Sequence, residues 1–215
     1  LIVGASAGSS GPPTFDLGGF NQTVATLSGS GGTYPAVIRN SGGTQSTLTL
    51  NPSAAGNFPG TIQGDVKLVV GGTSPQTLSG DNVYLGDTTI NTGGNLMISD
   101  AGELQFYPTT NGVTNSVGGT GTLQYDGTLR IEMSSIDPTP GNTWTLVNVG
   151  SLASATFGST FAVAGSIGTF TETVLNSGIW KLVDSGLEWT FTESTGELSV
   201  ATYVANPFNI WIGTS

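Results

Sequence analysis

Short runs of strand-forming residues alternate with turns between residues 76 and 98, and this rhythm limits the possible fold more than any other feature. The runs lie at 77–78, 88–90 and 96–98, and Gly, Asn, Asp and Ser form turns in the segments between them. Each run can place one or two apolar side chains inward before the chain bends. Apolar clusters recur about every 20–25 residues up to residue 125, which is typical of solenoid coils. The pattern therefore predicts a coiled β-architecture.

The residues of this segment also follow a specific order. Residues 76–96 read Gln-Thr-Leu-Ser-Gly-Asp-Asn-Val-Tyr-Leu-Gly-Asp-Thr-Thr-Ile-Asn-Thr-Gly-Gly-Asn-Leu, and residues 15–24 read Phe-Asp-Leu-Gly-Gly-Phe-Asn-Gln-Thr-Val. Both resemble the autotransporter-associated β-strand repeat, and the resemblance covers residues 15–125. It implies an extracellular β-helical protein that is secreted and placed at the cell surface.

The pattern changes from residue 121 onward, where longer alternating runs appear with hairpin-like turns. Three of the four Trp residues fall between residues 121 and 200. A solenoid needs its open end covered, and no helical periodicity is visible. We therefore predict an all-β fold, with a parallel β-helix-like solenoid over residues 1–125. A Trp-containing antiparallel β block or cap follows over residues 126–200, and an apolar C-terminal strand or tail over residues 201–215.

Charge excludes two classes of partner. The chain has four Lys and Arg against fourteen Asp and Glu, a net charge of −10. Nucleic-acid binding and docking on anionic lipid both need a basic surface, which four scattered cations cannot form. No apolar run approaches the roughly 18 residues of a membrane span. We expect no nucleic-acid partner and no membrane insertion of this segment.

The sequence offers little for hydrolytic catalysis. Histidine and cysteine are both absent, which removes the commonest general base and all thiol chemistry. Glu188 with Glu193, or Asp184 with Glu197, could form the carboxylate pair of a glycosidase. We expect these carboxylates to be solvated at strand edges, because nothing nearby in the sequence would separate their pKa values.

A polysaccharide lyase on a β-helix would need a basic residue in a basic groove. The net charge argues against such a groove, and we expect isolated solubilising cations and no enzymatic activity. The candidate bases are Arg39, Lys67, Arg130 and Lys181.

Calcium is the one ion that the composition suits, since it binds carboxylate and carbonyl oxygens. No regular calcium-binding loop is present, and we predict that these Asp side chains cap turns instead. We therefore expect no cofactor. The candidate ligands are Asp81, Asp87, Asp100 and Asp126.

Both ends of the chain are apolar and strand-like, which predicts self-association by strand addition. The predicted assembly interface consists of Leu1, Ile2, Val3, Tyr203, Val204, Phe208, Ile210, Trp211 and Ile212.

Together these features predict a non-enzymatic extracellular structural protein of a bacterial surface, either a stalk or adhesin segment or a self-assembling fibre subunit. The alternative is a carbohydrate-binding or polysaccharide-lyase β-helix module, with surface glycans as partners. A solvent-exposed row of aromatic rings would favour sugar binding, whereas burial would favour a core role. We expect most of these rings to be buried: Tyr125, Trp144, Trp180 and Trp189.

Overall fold

Strands in the computed structural model, which describes residues 1–4, 10–30 and 33–205, follow one another around successive coils. Five coils of three strands each can be traced in the described residues. In chain order they are β1 (Ile2–Val3), β2 (Thr14–Asp16), β3 (Gln22–Val24); β4 (Ser28–Gly29), β5 (Val37–Asn40), β6 (Ser46–Leu50); β7 (Gly56–Phe58), β8 (Thr61–Gly64), β9 (Val66–Val70); β10 (Pro75–Leu78), β11 (Asp81–Tyr84), β12 (Thr88–Ile90); and β13 (Asn95–Ile98), β14 (Glu103–Phe106), β15 (Val117–Gly119).

The remaining strands extend the coils and then form a second sheet. They are β16 (Thr122–Tyr125), β17 (Thr128–Ile131), β18 (Thr143–Thr145), β19 (Ser154–Phe157), β20 (Ala162–Gly165), β21 (Gly168–Thr169), β22 (Thr171–Glu172), β23 (Ile179–Asp184), β24 (Leu187–Thr192) and β25 (Glu197–Thr202). No helix occurs among the described residues, and hence none that could cross a membrane.

The coils stack so that equivalent strands form three faces. Face 1 contains the pair β1–β4 and the sheet β7-β10-β13-β16-β19, face 2 runs β2-β5-β8-β11-β14-β17-β20, and face 3 runs β3-β6-β9-β12-β15. The strand pairs within each face are parallel, for example β10 with β13 and β6 with β9. The predicted all-β, parallel solenoid is therefore confirmed.

Identical positions of successive coils lie directly above one another. Leu48, Leu68 and Thr88 occupy the same place on face 3 in three coils, so one coil takes 20 residues here. Residues alternate inward and outward along each strand, and the inward residues Leu96 and Ile98 of β13 are fully buried. Stacked inward residues form one continuous apolar core from the first coil to the last sheet.

Corners between faces 1 and 2 demand glycine. A Cβ atom added at Gly60, Gly80 or Gly127 would collide with a carbonyl oxygen of the preceding coil, that of Ala36, Gly60 or Gly102 respectively. Backbones of adjacent coils approach too closely for a side chain at this point. The glycines of the sequence rhythm therefore have a steric role.

Two buried amides satisfy backbone groups where a coil departs from regular pairing. Gln76 accepts a hydrogen bond from Leu27 N at 3.0 Å and donates to Leu27 O at 2.9 Å. Asn82 accepts from Ile62 N at 3.2 Å and donates to Gly80 O at 2.7 Å. Both residues are fully buried, so these bonds replace water that cannot enter.

Parallel pairing continues past residue 125, where the sequence pattern changes. Strand β19 pairs with β16, and β20 pairs with β17. Strands β18, β25, β24, β23 and β22 then form an antiparallel sheet in that order. Trp144 and Trp189 of this sheet are buried with ring centroids 6.2 Å apart, and both belong to the continuous core. The antiparallel block is present, as predicted.

Replacing Gly80 by Ala tests the steric constraint at the corners. The new Cβ would meet the Gly60 carbonyl and lie 2.6 Å from that of Pro59, so we expect the free energy of unfolding to fall by roughly 1–3 kcal/mol. Gly43→Ala is the matched control, because nothing lies within 4 Å of its added Cβ. Urea denaturation measures both variants, and equal stabilities would contradict the steric explanation.

Candidate binding groove

The last strand of face 1 lacks the cover that closes the other two faces. Among the described residues, β19 pairs with β16 on one edge and with no strand on the other. Its inward residues Ala155 and Phe157 are only half-buried, whereas Leu123 and Tyr125, one coil earlier, are fully buried. The solenoid end is therefore incompletely covered along this strand.

Faces 2 and 3 are closed at the same end. On face 2, β21 pairs antiparallel with β20, and Val163 beneath it is fully buried. On face 3, Val147 bridges to Val117 and is itself buried, and its amide donates to Gly196 O of the antiparallel sheet at 3.0 Å. The uncovered position is thus confined to the end of face 1.

Two adjoining cavities, of about 290 and 370 Å³, form one groove between β19 and the antiparallel sheet. Phe157, Asn176 and Glu193 line both cavities. Ala155, Phe157 and Phe161 give the β19 side of the groove its apolar surface, beside Thr156 and Ser159. The opposite wall comes from two turns of the antiparallel sheet, residues 173–178 and 193–196. The groove therefore has the unpaired edge of β19 on one side and a polar wall on the other.

Two carboxylates meet in this wall. Glu172 accepts a hydrogen bond from Gly178 N at 2.9 Å, and Glu193 accepts one from Trp180 Nε1 at 2.8 Å. Gly178 has a positive φ of 65°, and a Cβ there would lie 3.0 Å from Glu193 Oε2. Glycine at this position thus brings both carboxylates to the same turn.

The pKa of Glu193 lies above the usual value of a glutamate. Partial burial is the main cause, because it disfavours the charged form. The hydrogen bond from Trp180 acts in the opposite direction, and repulsion from Glu172 adds to the increase. The groove wall therefore contains a carboxylate that ionises less readily than an ordinary glutamate.

Trp180 is the one member of the predicted aromatic set that lines the groove. Its ring packs edge-on against Phe161, with centroids 5.7 Å apart and an interplanar angle of 85°. Tyr125 and Trp144 are fully buried, and Trp189 is 2% exposed. The expectation that most of these rings are buried is confirmed.

The carboxylate pairs named from the sequence do not come together. Strand register places Glu188 opposite Val183, at one end of the hairpin. Thr192, the neighbour of Glu193, lies opposite Ile179 at the other end. Asp184 and Glu197 are likewise at opposite ends of the sheet. The observed partner of Glu193 is Glu172, which sequence reasoning missed because the six-residue turn between β22 and β23 carries no recognisable hairpin signal.

Three of the four cations are neutralised. Arg39 pairs with Asp16 at 2.8 Å, Arg130 with Glu103 at 2.5 Å, and Lys181 with Glu188 at 2.6 Å. Within the described ranges, Lys67 is the only cationic side chain with no ion pair. It lines a separate cavity of about 360 Å³ together with Tyr107 and Asp87.

No group of three or more acidic side chains is placed so that it could hold a metal ion in the part of the chain that the structure describes. Asp87 accepts hydrogen bonds from Ser116 N and Oγ at 2.9 and 3.3 Å, and Asp126 accepts one from Gln124 at 2.8 Å. Asp81 and Asp100 are not brought together with them at a shared site. The structure thus assembles no calcium site from these four residues.

The predicted assembly residues have different environments. Leu1 is partly buried, Val3 is buried, and Ile2 is 81% exposed in β1, which pairs with β4. Tyr203 and Val204 are exposed just after β25, Val204 to 80%. The other four lie outside the described residues: Phe208, Ile210, Trp211 and Ile212.

No protein-family model matches the chain, and no curated protein or solved structure matches it either. The resemblance to the autotransporter-associated repeat stays a prediction from residues 15–125.

Replacing Glu193 by Gln tests the electrostatics of the groove. A carboxyl group with a raised folded-state pKa contributes its full stability below the unfolded-state pKa, and that contribution is lost as pH rises through the folded-state pKa. Gln keeps an acceptor for Trp180 without the charge. We expect Glu193→Gln to match the wild type at acidic pH and to be more stable at neutral pH.

Chemical denaturation across this pH range measures the difference. Asp137→Asn is the opposite control, since hydrogen bonds from Thr139 lower the pKa of Asp137. That contribution is present above the unfolded-state pKa and lost as pH falls, so the Asn variant should lose stability at neutral pH. A wild type that is at least as stable as Glu193→Gln at neutral pH would contradict the assignment.

Proposed function

We propose that this chain is a non-enzymatic structural protein of a bacterial surface, a stalk or adhesin segment or a self-assembling fibre subunit. The observation that supports it is the continuous apolar core under three parallel sheets, which links all coils into one rod-like unit. Such stacks resist extension because every coil is hydrogen-bonded to its neighbours. Extracellular placement follows from the resemblance of residues 15–125 to surface repeats.

Electron microscopy of the purified chain, together with light scattering, tests the structural proposal. We expect uniform rods or filaments, and a smaller particle size after deletion of residues 203–215 if the protein is a fibre subunit. An unchanged size after deletion would reject the tail-mediated version and leave the stalk version. Irregular aggregates without rods would contradict both.

Carbohydrate binding is the second candidate, because Trp180 lines the groove beside Glu172 and Glu193. Aromatic rings combined with carboxylates and amides are a common way to hold sugars, since they offer apolar surface and fixed hydrogen-bond acceptors.

Glycan retention by the immobilised chain tests this candidate. Trp180→Ala should abolish retention if the groove binds sugar, because it removes the ring and the donor to Glu193. Phe20→Ala is the matched control, since Phe20 is an exposed aromatic (72%) in the first coil, far along the chain from the groove. Equal retention by both variants would reject a sugar site at this groove.

A further inference from the structure

We propose that the free edge of β19 is an acceptor for one added β-strand, and that the donor is residues 206–215 of a second copy of this chain. The inference rests on the self-assembling version of the proposed function and names the joint that it requires. Three observations carry it: a partly covered last strand on face 1, closed ends on the other two faces, and an uncharged apolar donor segment.

The exposed apolar surface of β19 would favour the binding of a further strand. On every earlier strand of face 1 from β7 to β16, the inward residues are buried by the next coil. No coil follows β19 among the described residues. Phe157 packs against the rings of Phe161 and Phe191, and both Ala155 and Phe157 remain half-buried. A further strand would remove their apolar surface from water and pair a free sheet edge.

The groove lies at an end of the solenoid where the other two faces are already closed. Face 2 is closed by β21, and face 3 by Val147 and the turn at Gly196. A second solenoid therefore cannot stack coaxially on this end. A single extended segment can lie along β19, whose four residues span about 13 Å.

The donor segment has a composition that suits the groove. Residues 206–215 read Asn-Pro-Phe-Asn-Ile-Trp-Ile-Gly-Thr-Ser and contain no acidic or basic side chain. The groove wall carries Glu172 and Glu193, so an acidic strand would be repelled. Phe208, Ile210 and Ile212 are spaced by two residues, as are the inward Leu123 and Tyr125 of β16. Two of the three could therefore cover Ala155 and Phe157.

The donor segment leaves its own molecule at the end of the antiparallel sheet away from the groove. Strand β25 runs from Glu197, beside Thr192, to Thr202, beside Leu187, a distance of about 17 Å. Tyr203 N then donates to Gly186 O at 2.9 Å, at the end of the sheet away from Glu193. A return within one molecule would use residues 204–208 to span this distance. Cysteine cross-linking separates that arrangement from donation to a second copy.

Cysteine cross-linking tests the joint directly, because the chain has no native cysteine. One preparation carries Ala155→Cys and the other carries Ile210→Cys with an added tag that separates it by mass. Adjacent strands lie about 4.8 Å apart, within the Cα separation of a disulfide. We expect a mixed disulfide dimer on mild oxidation, and more of it when the Ala155→Cys chain lacks its own residues 206–215.

Thr77→Cys is the matched acceptor control, because Thr77 lies on face 1 in β10 but points outward, with a strand on each side. Mixed dimer with Ala155→Cys well above this control supports the inference. A mixed-dimer level equal to the control overturns it, and so does a double variant, Ala155→Cys with Ile210→Cys, that closes only within one chain. Rods or filaments seen without the Ala155–Ile210 cross-link would leave the proposed function intact while rejecting this joint.

Discussion

Stacking of each coil on the next through parallel backbone hydrogen bonds is the constraint on which the rest of the structure depends. It fixes the distance between neighbouring backbones at about 4.8 Å, and so decides what a side chain may be at each position. At the corner of faces 1 and 2 the backbones leave no room for a Cβ, which explains Gly60, Gly80 and Gly127. Where a coil departs from the regular ladder, a buried amide such as Gln76 or Asn82 supplies the missing partner. Leu27 and Ile62, whose amide groups these side chains bind, would otherwise leave polar atoms unpaired in the core.

This constraint also explains which parts of the fold could be predicted from the sequence. The repeat of 20 residues through Leu48, Leu68 and Thr88 is visible as recurring apolar clusters, because every coil must place apolar side chains at the same inward positions. The inserted segment between β17 and β19 hides the later coils, since 32 residues separate Leu123 from its stacked partner Ala155. Parallel pairing continues there through residues that no longer show the period. The change of sequence pattern at residue 121 therefore marks longer connections between strands, while the stack of parallel strands continues through β19 and β20.

The candidate groove could be predicted only in part. Burial of Trp144 and Trp189 follows from alternation along their strands, because an apolar residue between polar neighbours faces the core. The meeting of Glu172 with Glu193 depends on the register of the hairpin β22–β23 and on a turn through Gly178. Register across an irregular turn is set by tertiary packing rather than by local residue preference. The half-buried state of Phe157 is equally invisible in the sequence, since among the described residues no strand follows β19 on face 1.

Few outward positions of the coils carry charge, and this has a consequence for repulsion between stacked coils. Because like positions lie above one another, a charged residue repeated in every coil would form a column of equal charges. Asp81 and Glu103 on face 2 are stacked like charges of this kind. Arg130 lies in the following coil, where the hydrogen bond to Glu103 and the negative charges of Glu103 and Asp81 raise the pKa of its guanidinium. On face 1, by contrast, the stacked outward residues are neutral, for example Thr77, Met97 and Gln124. Duplication of a 20-residue unit such as 76–95 would leave the columns of face 1 neutral, but it would place a second Asp81 directly above the first on face 2. The stack can therefore repeat a coil without charge repulsion on one face and not on the other.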